Sequence, residues 1–402
     1  MYEKFPPTPP ERISNMFTDR VATLQAEGAY AVLARAQALE AQGRKILHLE
    51  IGQPDFPTLP NVSQAGVEAI QSGQTRYTSP GGTPALRAAI AETVSEQIGL
   101  DIGPECVVVG PGAKPGLFFP TLALVNPGDE VLYPDPGFPT YAAMIRVAGG
   151  VPVPVPLREE NQFSFDLQAF DAHISDKTRM IVLNSPANPT GGVIPLADLK
   201  HIAEKAREHN AWVMSDEIYA RLAYDGLQVP RIGALPGMLE RTIIVDGFSK
   251  TYAMTGWRLG YMVMPAALAE RVELLLTHSI GCTAAFTQVA GVEALSGPQE
   301  KVAENVAEYQ RRRDYFVAGL NAIPGVSCQV PQGAFYVFPN VKSFGLTSKE
   351  IASRLIDEAG VAVLAGTDFG AGGEGYLRMC YATSMDVLRE SLKKMTAWFK
   401  AI

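Results

Sequence analysis

Between Cys106 and Met264 the chain repeats one pattern: a short apolar run, then a stretch with helical spacing. The runs are Cys106–Gly110, Glu130–Tyr133, Met180–Asn184, Trp212–Ser215, Thr242–Val245 and Leu259–Met264. Each is rich in Val, Ile or other large apolar residues, without the polar alternation of a strand that faces water on one side. Strands of this kind are buried on both faces, and their separation by helices calls for crossover connections. The expected fold class is therefore α/β, with a large domain built on a mostly parallel sheet between helices. At 402 residues the chain exceeds what one core supports, so a second domain is expected. We expect residues 47–296 to form the large domain and residues 297–402 a smaller α/β domain that includes Gly333–Phe338 and Gly375–Tyr381. Residues 1–46 are expected to pack with that smaller domain. They read as a proline-rich arm to about Pro10, followed by a helix from Ile13 to Gln42 that stops at Gly43. Thr83-Pro84 marks another helix start, an N-cap residue with proline at the first helical position.

Several functional classes are disfavoured at this point. A formal net charge of −8 argues against nucleic acid or an anionic membrane as the main partner. The four cysteines, Cys106, Cys282, Cys328 and Cys380, lie far apart without a CxxC pair, so neither a disulfide framework nor a zinc site is expected. No apolar run approaches the ~18 uncharged residues of a membrane span. The N-terminus lacks the apolar centre of a signal peptide. A cytoplasmic setting without a bound metal is the expectation.

In an open α/β sheet a ligand sits beyond the carboxyl ends of the strands, so the polar residues after each run are the ones to inspect. Asn184-Ser-Pro-Ala-Asn188-Pro-Thr-Gly-Gly192 follows one strand, and Ser215-Asp216-Glu217-Ile218-Tyr219 the next. Phe248-Ser249-Lys250 follows a third, with Thr255-Gly-Trp-Arg258 shortly after, and Gly110-Pro-Gly-Ala113-Lys114 follows a fourth. Each is ordinary on its own: a turn, a solvated acidic pair, a surface lysine. The glycine-rich turn matches neither a dinucleotide nor a nucleotide-triphosphate loop, and Pro111 and Pro115 remove two N–H donors from it. Together, however, a lysine, a carboxylate, a tyrosine and an arginine at one sheet edge meet the needs of pyridoxal 5′-phosphate (PLP). Its aldehyde takes a lysine amine, its pyridine nitrogen a carboxylate, and its phosphate an arginine, a hydroxyl and a helix start.

The co-linear set Asn188-Pro-Thr-Gly, Ser215-Asp-Glu-Ile-Tyr219, Ser249-Lys250, Gly256-Trp-Arg258 and Leu377-Arg378 resembles the fold-type I PLP aminotransferases of class I/II. It looks closest to the bacterial aspartate aminotransferase branch, from about Leu47 to Thr383. The resemblance implies that Lys250 carries PLP as a Schiff base and shuttles a proton at the substrate Cα. By the same resemblance Asp216 would pair with the pyridine nitrogen, and Tyr219 and Asn188 with the ring oxygen. Ser249, Arg258 and the backbone at Ala113 and Lys114 would hold the phosphate. Phe138 would stack on the ring, and Tyr77 would reach the phosphate of the neighbouring subunit, which implies a homodimer with shared sites. Arg378 would bind the substrate α-carboxylate as a fork, helped by Gly52 and Asn188.

The resemblance implies an amino acid and a 2-oxo acid as substrates, with identity resting on how the side chain is read. In the aspartate-specific branch a lysine at the position of Lys114 reaches a distal carboxylate, which favours aspartate or glutamate with oxaloacetate or 2-oxoglutarate. The segment Leu24-Gln-Ala-Glu27-Gly-Ala-Tyr30 departs from that branch. Glu27 would repel a second carboxylate, and Tyr30 would suit an apolar or aromatic side chain. Aromatic, cationic and small neutral substrates therefore stay open, as do a lyase or cyclase on the same fold. A PLP-binding transcription regulator would need an N-terminal DNA-binding domain, for which the forty or so residues before the matching region leave no room.

Overall fold

A computed structural model describes residues 17–22, 24 and 26–402. The expected proline-rich arm lies outside these residues. The single helix expected from Ile13 to Gln42 is divided instead. A one-turn helix spans Asp19–Ala22, and a longer helix starts at Gly28 and ends at Glu40. Glu27, just before the longer helix, is extended and makes no capping bond to it. Gly43 takes the left-handed conformation just beyond the helix end, with φ 84°, which glycine reaches without a Cβ clash.

The chain then lays down β1 (Leu47–His48) before the large sheet begins. That sheet comprises β2 (Val107–Gly110), β3 (Glu130–Asp135), β4 (Val151–Arg158), β5 (Ser164–Phe165), β6 (Thr178–Asn184), β7 (Trp212–Asp216), β8 (Thr242–Gly247) and β9 (Gly260–Val263). Its spatial order is β2-β9-β8-β7-β6-β3-β4-β5. The ladders from β8 through β4 are parallel, whereas β9 runs antiparallel between β2 and β8.

All six expected strands are present. Their burial on both sides is visible in the alternation along β6. Met180 and Val182 pack with Met144, Val245 and Leu117 on one face, while Ile181 and Leu183 pack with Leu199, Ile202 and Phe170 on the other. Each fully buried side chain of this type stabilises the fold by about 1.5–3 kcal/mol.

Two strands of the sheet were not anticipated, the two-residue β5 and β4, Val-Pro-Val-Pro-Val-Pro-Leu-Arg. Three prolines argue against a central strand. Here they alternate, so that Val151, Val153 and Val155 occupy the positions that bond to β3, and the prolines turn their missing N–H groups away from it. On that outer side β4 meets only the two residues of β5.

The helix expected at Thr83-Pro84 runs from Pro84 to Ile98, with Thr83 Oγ1 accepting from the Leu86 N–H at 3.4 Å and Gly99 as a left-handed cap.

The C-terminal part carries β10 (Tyr336–Val337), β11 (Val361–Ala362), β12 (Leu364–Ala365) and β13 (Leu377–Cys380). β10, β13 and β12 form an antiparallel sheet, and β11 pairs parallel with β1. Leu47 and Leu49 share a core cluster with Phe316, Leu355 and Met395, so the chain on either side of β1 is anchored to C-terminal elements. Ala36 of the Gly28–Glu40 helix packs on Ile46, Ile356 and Ala362. No helix among the described residues is long and apolar enough to cross a membrane.

Candidate active site

The parallel ladders bring three strand ends into register. Asn184 lies opposite Asp216, Asp216 opposite Val245, and Gly247 opposite Gly260. Gly260 in turn pairs with Gly110. Because β9 runs antiparallel, its start and the end of β8 share one edge, and Lys250 and Arg258 are delivered by the single loop between them. A Cβ on Gly260 would stand 2.4 Å from the Gly112 carbonyl carbon, so glycine is required for β9 to approach the turn after β2 this closely.

This edge is the floor of a cavity of about 740 Å³. Eleven of the twelve residues expected from the sequence at the site line it: Gly52, Ala113, Lys114, Phe138, Asn188, Asp216, Tyr219, Ser249, Lys250, Arg258 and Arg378. The twelfth, Tyr77, is 96% exposed and stands apart from the cavity of its own chain.

Asp216 ends β7 with its side chain in the cavity, and strand alternation turns Glu217 to the other side. There Glu217 accepts from Ser215 Oγ at 2.8 Å and pairs with Arg231. Burial raises the Asp216 carboxyl to about 6, although Tyr141 Oη donates to it at 2.7 Å and the Ile218 N–H at 3.3 Å, both of which hold it down. Tyr141 was not foreseen. Its ring meets that of Phe138 edge to face at 5.8 Å. Asn184, the first residue of the Asn-Ser-Pro motif, is structural: its Nδ2 donates to the Asp216 carbonyl and its Oδ1 accepts from the Asn188 N–H. Asn188 Oδ1 is thereby held in the buried wall without a hydrogen-bond partner among the described residues.

Lys250 Nζ donates to the Gly52 carbonyl at 2.7 Å and lies about 6 Å from the Tyr219 and Phe335 rings. Burial lowers its ammonium to about 8, against an opposing effect of Cys380; Arg378 and Arg258 push the same way as burial, and Asp216 weakly opposes. An amine this far below the ordinary lysine value is a nucleophile and proton acceptor near neutral pH. Tyr219 Oη meets Tyr336 Oη at 2.8 Å.

At one end of the cavity, Arg258 is exposed and donates to the Thr255 and Pro111 carbonyls at 3.0 and 3.3 Å. Beside it the helix Lys114–Leu124 begins, and the Ala113 and Lys114 N–H groups find no acceptor among the described residues. Orphan N–H groups, a helix dipole, a hydroxyl at Ser249 and a guanidinium make an anion cradle. At the other end Arg378 on β13 is buried between two rings, 4.7 Å from Tyr336 and 5.2 Å from Phe369. Its Nη2 donates to the Glu50 carbonyl, while Nε is buried without a partner. Gly52 lies close to Tyr336: a Cβ there would fall 2.0 Å from Tyr336 Oη, so the buried ring would have to shift.

An anion cradle, an amine of lowered pKa, a buried carboxylate and a buried guanidinium with a spare donor are the groups that PLP and an amino acid together require. The donor set fits the cofactor.

The chain belongs to the family of class I and II aminotransferases, whose model matches residues 44–395. It is accordingly a PLP-dependent aminotransferase. The aspartate aminotransferase of Pyrococcus horikoshii is 39% identical over 96% of this chain and 97% of its own. The crystal structure of an aromatic aminotransferase from the same organism superposes with a TM-score of 0.87 at 39% identity, covering 92% of this chain and 99% of that one. An alanine aminotransferase from Pyrococcus furiosus superposes with a TM-score of 0.91 at 32% identity, covering 96% and 100%. Relatives of nearly equal similarity thus carry the names of three substrate classes.

Proposed function

We propose that the enzyme exchanges the amino group of aspartate or glutamate with oxaloacetate or 2-oxoglutarate. The observation that carries this reading is the Lys114 ammonium on the wall of the cavity that also holds Arg378, 5.5 Å from the centre of the Phe138 ring. A dicarboxylic amino acid would meet one cation at each carboxylate. Bound PLP supplies an electron sink conjugated to the substrate Cα.

The chain's own residues would do the rest. Arg378 would grip the α-carboxylate with its free donors, and its two stacked rings would fix the plane of the fork. The Gly52 backbone and Asn188 would assist. Asp216 would hold a proton on the ring nitrogen, with Tyr141 keeping the carboxylate oriented. Tyr219 and Asn188 would hydrogen-bond the ring oxygen, and Phe138 would cover the ring face. Ser249, Arg258 and the Ala113 and Lys114 N–H groups would hold the phosphate. Lys250, once free, would take the Cα proton and deliver it to the cofactor carbon bonded to the amino nitrogen. Tyr77, exposed and away from its own cavity, fits a role at a partner's phosphate in a homodimer. A division at residues 46 and 296 and a cytoplasmic location belong to the same reading.

A second reading has its own observation. Lys114 is paired with Glu27, and Tyr30, Leu33, Leu117 and Phe138 give the same cavity an apolar wall, which suits neutral or aromatic side chains. The test is a half-reaction scan in which PLP-loaded protein is mixed with single amino acids and the cofactor absorbance is followed. Conversion by aspartate and glutamate supports the first reading, and conversion only by neutral or aromatic amino acids replaces it with the second.

A further inference from the structure

Glu27 stands immediately before the Gly28–Glu40 helix, where an acidic side chain ordinarily turns back to the free N–H groups of its own first turn. It does not do so here. The Asp368 carboxyl occupies that neighbourhood instead: a Cβ on Gly28 would lie 2.6 Å from Asp368 Cγ. Glu27 is thus free to turn across the cavity, where its carboxylate pairs with the Lys114 ammonium and Thr140 Oγ1 approaches it at 3.5 Å. Lys114 and Glu27 side chains are 48% and 26% exposed, so the pair is partly solvated and readily displaced.

We propose that Glu27 is a specificity-determining residue: its carboxylate occupies Lys114 in place of the distal carboxylate of a dicarboxylic substrate. Neutral and aromatic side chains then enter beside an intact ion pair and meet Leu117, Leu33 and Phe138. Aspartate and glutamate must instead displace Glu27 before Lys114 is available, and they meet its negative charge while doing so. One pocket in this way serves both classes, and Glu27 sets the ratio between them. The inference rests on the reading that Lys114 faces the substrate side chain.

The experiment compares kcat/KM for aspartate and glutamate with that for alanine and phenylalanine in the holoenzyme, its Glu27→Gln, Lys114→Ala and double variants. An ion pair of this exposure contributes up to about fivefold, and loss of the repelling charge adds to it. Glu27→Gln should therefore raise the acidic-to-neutral ratio about five- to tenfold, and that gain should vanish in the double variant. A ratio that stays constant or falls in Glu27→Gln overturns the proposal. Lys114→Ala separates the two levels. If it lowers acidic substrates selectively while Glu27→Gln leaves the ratio unchanged, only the role of Glu27 is lost. If it lowers acidic and neutral substrates equally, the underlying reading of Lys114 fails, and the proposal with it.

Discussion

Arg378→Lys keeps the charge at the far end of the cavity and removes the fork. In the wild-type chain the guanidinium is 3% exposed, clamped between Tyr336 and Phe369, with Nη2 committed to the Glu50 carbonyl. A lysine ammonium is a point donor. It cannot bond Glu50 and both oxygens of a carboxylate from one position, and it loses the planar stacking that orients the group. One charge-assisted hydrogen bond to the substrate is forfeited, worth about 1.5–3 kcal/mol. At 1.36 kcal/mol per tenfold that becomes about a 10- to 150-fold fall in kcat/KM. The assay pairs each amino acid with the amine that lacks its carboxylate, for instance phenylalanine and 2-phenylethylamine. The amino acid should lose the full factor, and the amine, which makes no such bond, should lose little. Equal losses for both, or no loss for the amino acid, would refute the assignment of Arg378 to the α-carboxylate.

Lys250→Ala should abolish turnover with the fold retained. It should also remove a pH dependence, because a lysine lowered from 10.5 to about 8 binds fewer protons folded than unfolded between those values. Apoprotein stability should therefore rise with pH across that window in the wild type and not in the variant, as urea midpoints would reveal; the same slope in both would contradict a buried Lys250. Tyr141→Phe removes the 2.7 Å hydrogen bond that holds Asp216 down, so the carboxyl should move about one to two units above its value near 6, and the acid limb of PLP affinity should shift upward with it. An unshifted limb in a titration of the apoprotein would exclude that coupling. Gly52→Ala should cost about 1–3 kcal/mol by forcing Tyr336 off Tyr219, and a wild-type melting temperature would show that the approach is looser than 2.0 Å implies.

The sheet was legible because its strands are buried on both faces, which leaves uninterrupted apolar runs such as Met180–Asn184. β4 was hidden by its prolines, since only pairing shows that they all face one way. The break before Gly28 was hidden because helical spacing on either side continues across it, while the side chain that crowds the helix start belongs to Asp368, far along the chain. Motif residues after strand ends reached the cavity as expected because β6, β7 and β8 end in register. Tyr141, Tyr336 and Phe369 were not singled out, because their roles depend on contacts with Asp216, Tyr219 and Arg378 that no local pattern encodes. The sequence also carried Lys114 and Glu27 as opposed hints about the substrate, and the fold brings the two into contact.

The short strand β1 has a consequence for synthesis. Leu47 pairs with Val361, the Leu49 carbonyl accepts from the Cys380 N–H at 2.7 Å, and a few residues on Gly52 receives Lys250. A ribosome therefore releases the segment around Leu47 long before its partner strands exist. Asn188, Asp216, Lys250 and Arg258 have all been translated while Arg378 is still missing, so the nascent chain holds its own residues proposed for the cofactor before the arginine proposed for the substrate carboxylate. The Leu47–Leu49 stretch accordingly stays unpaired until β11 and β13 have been made.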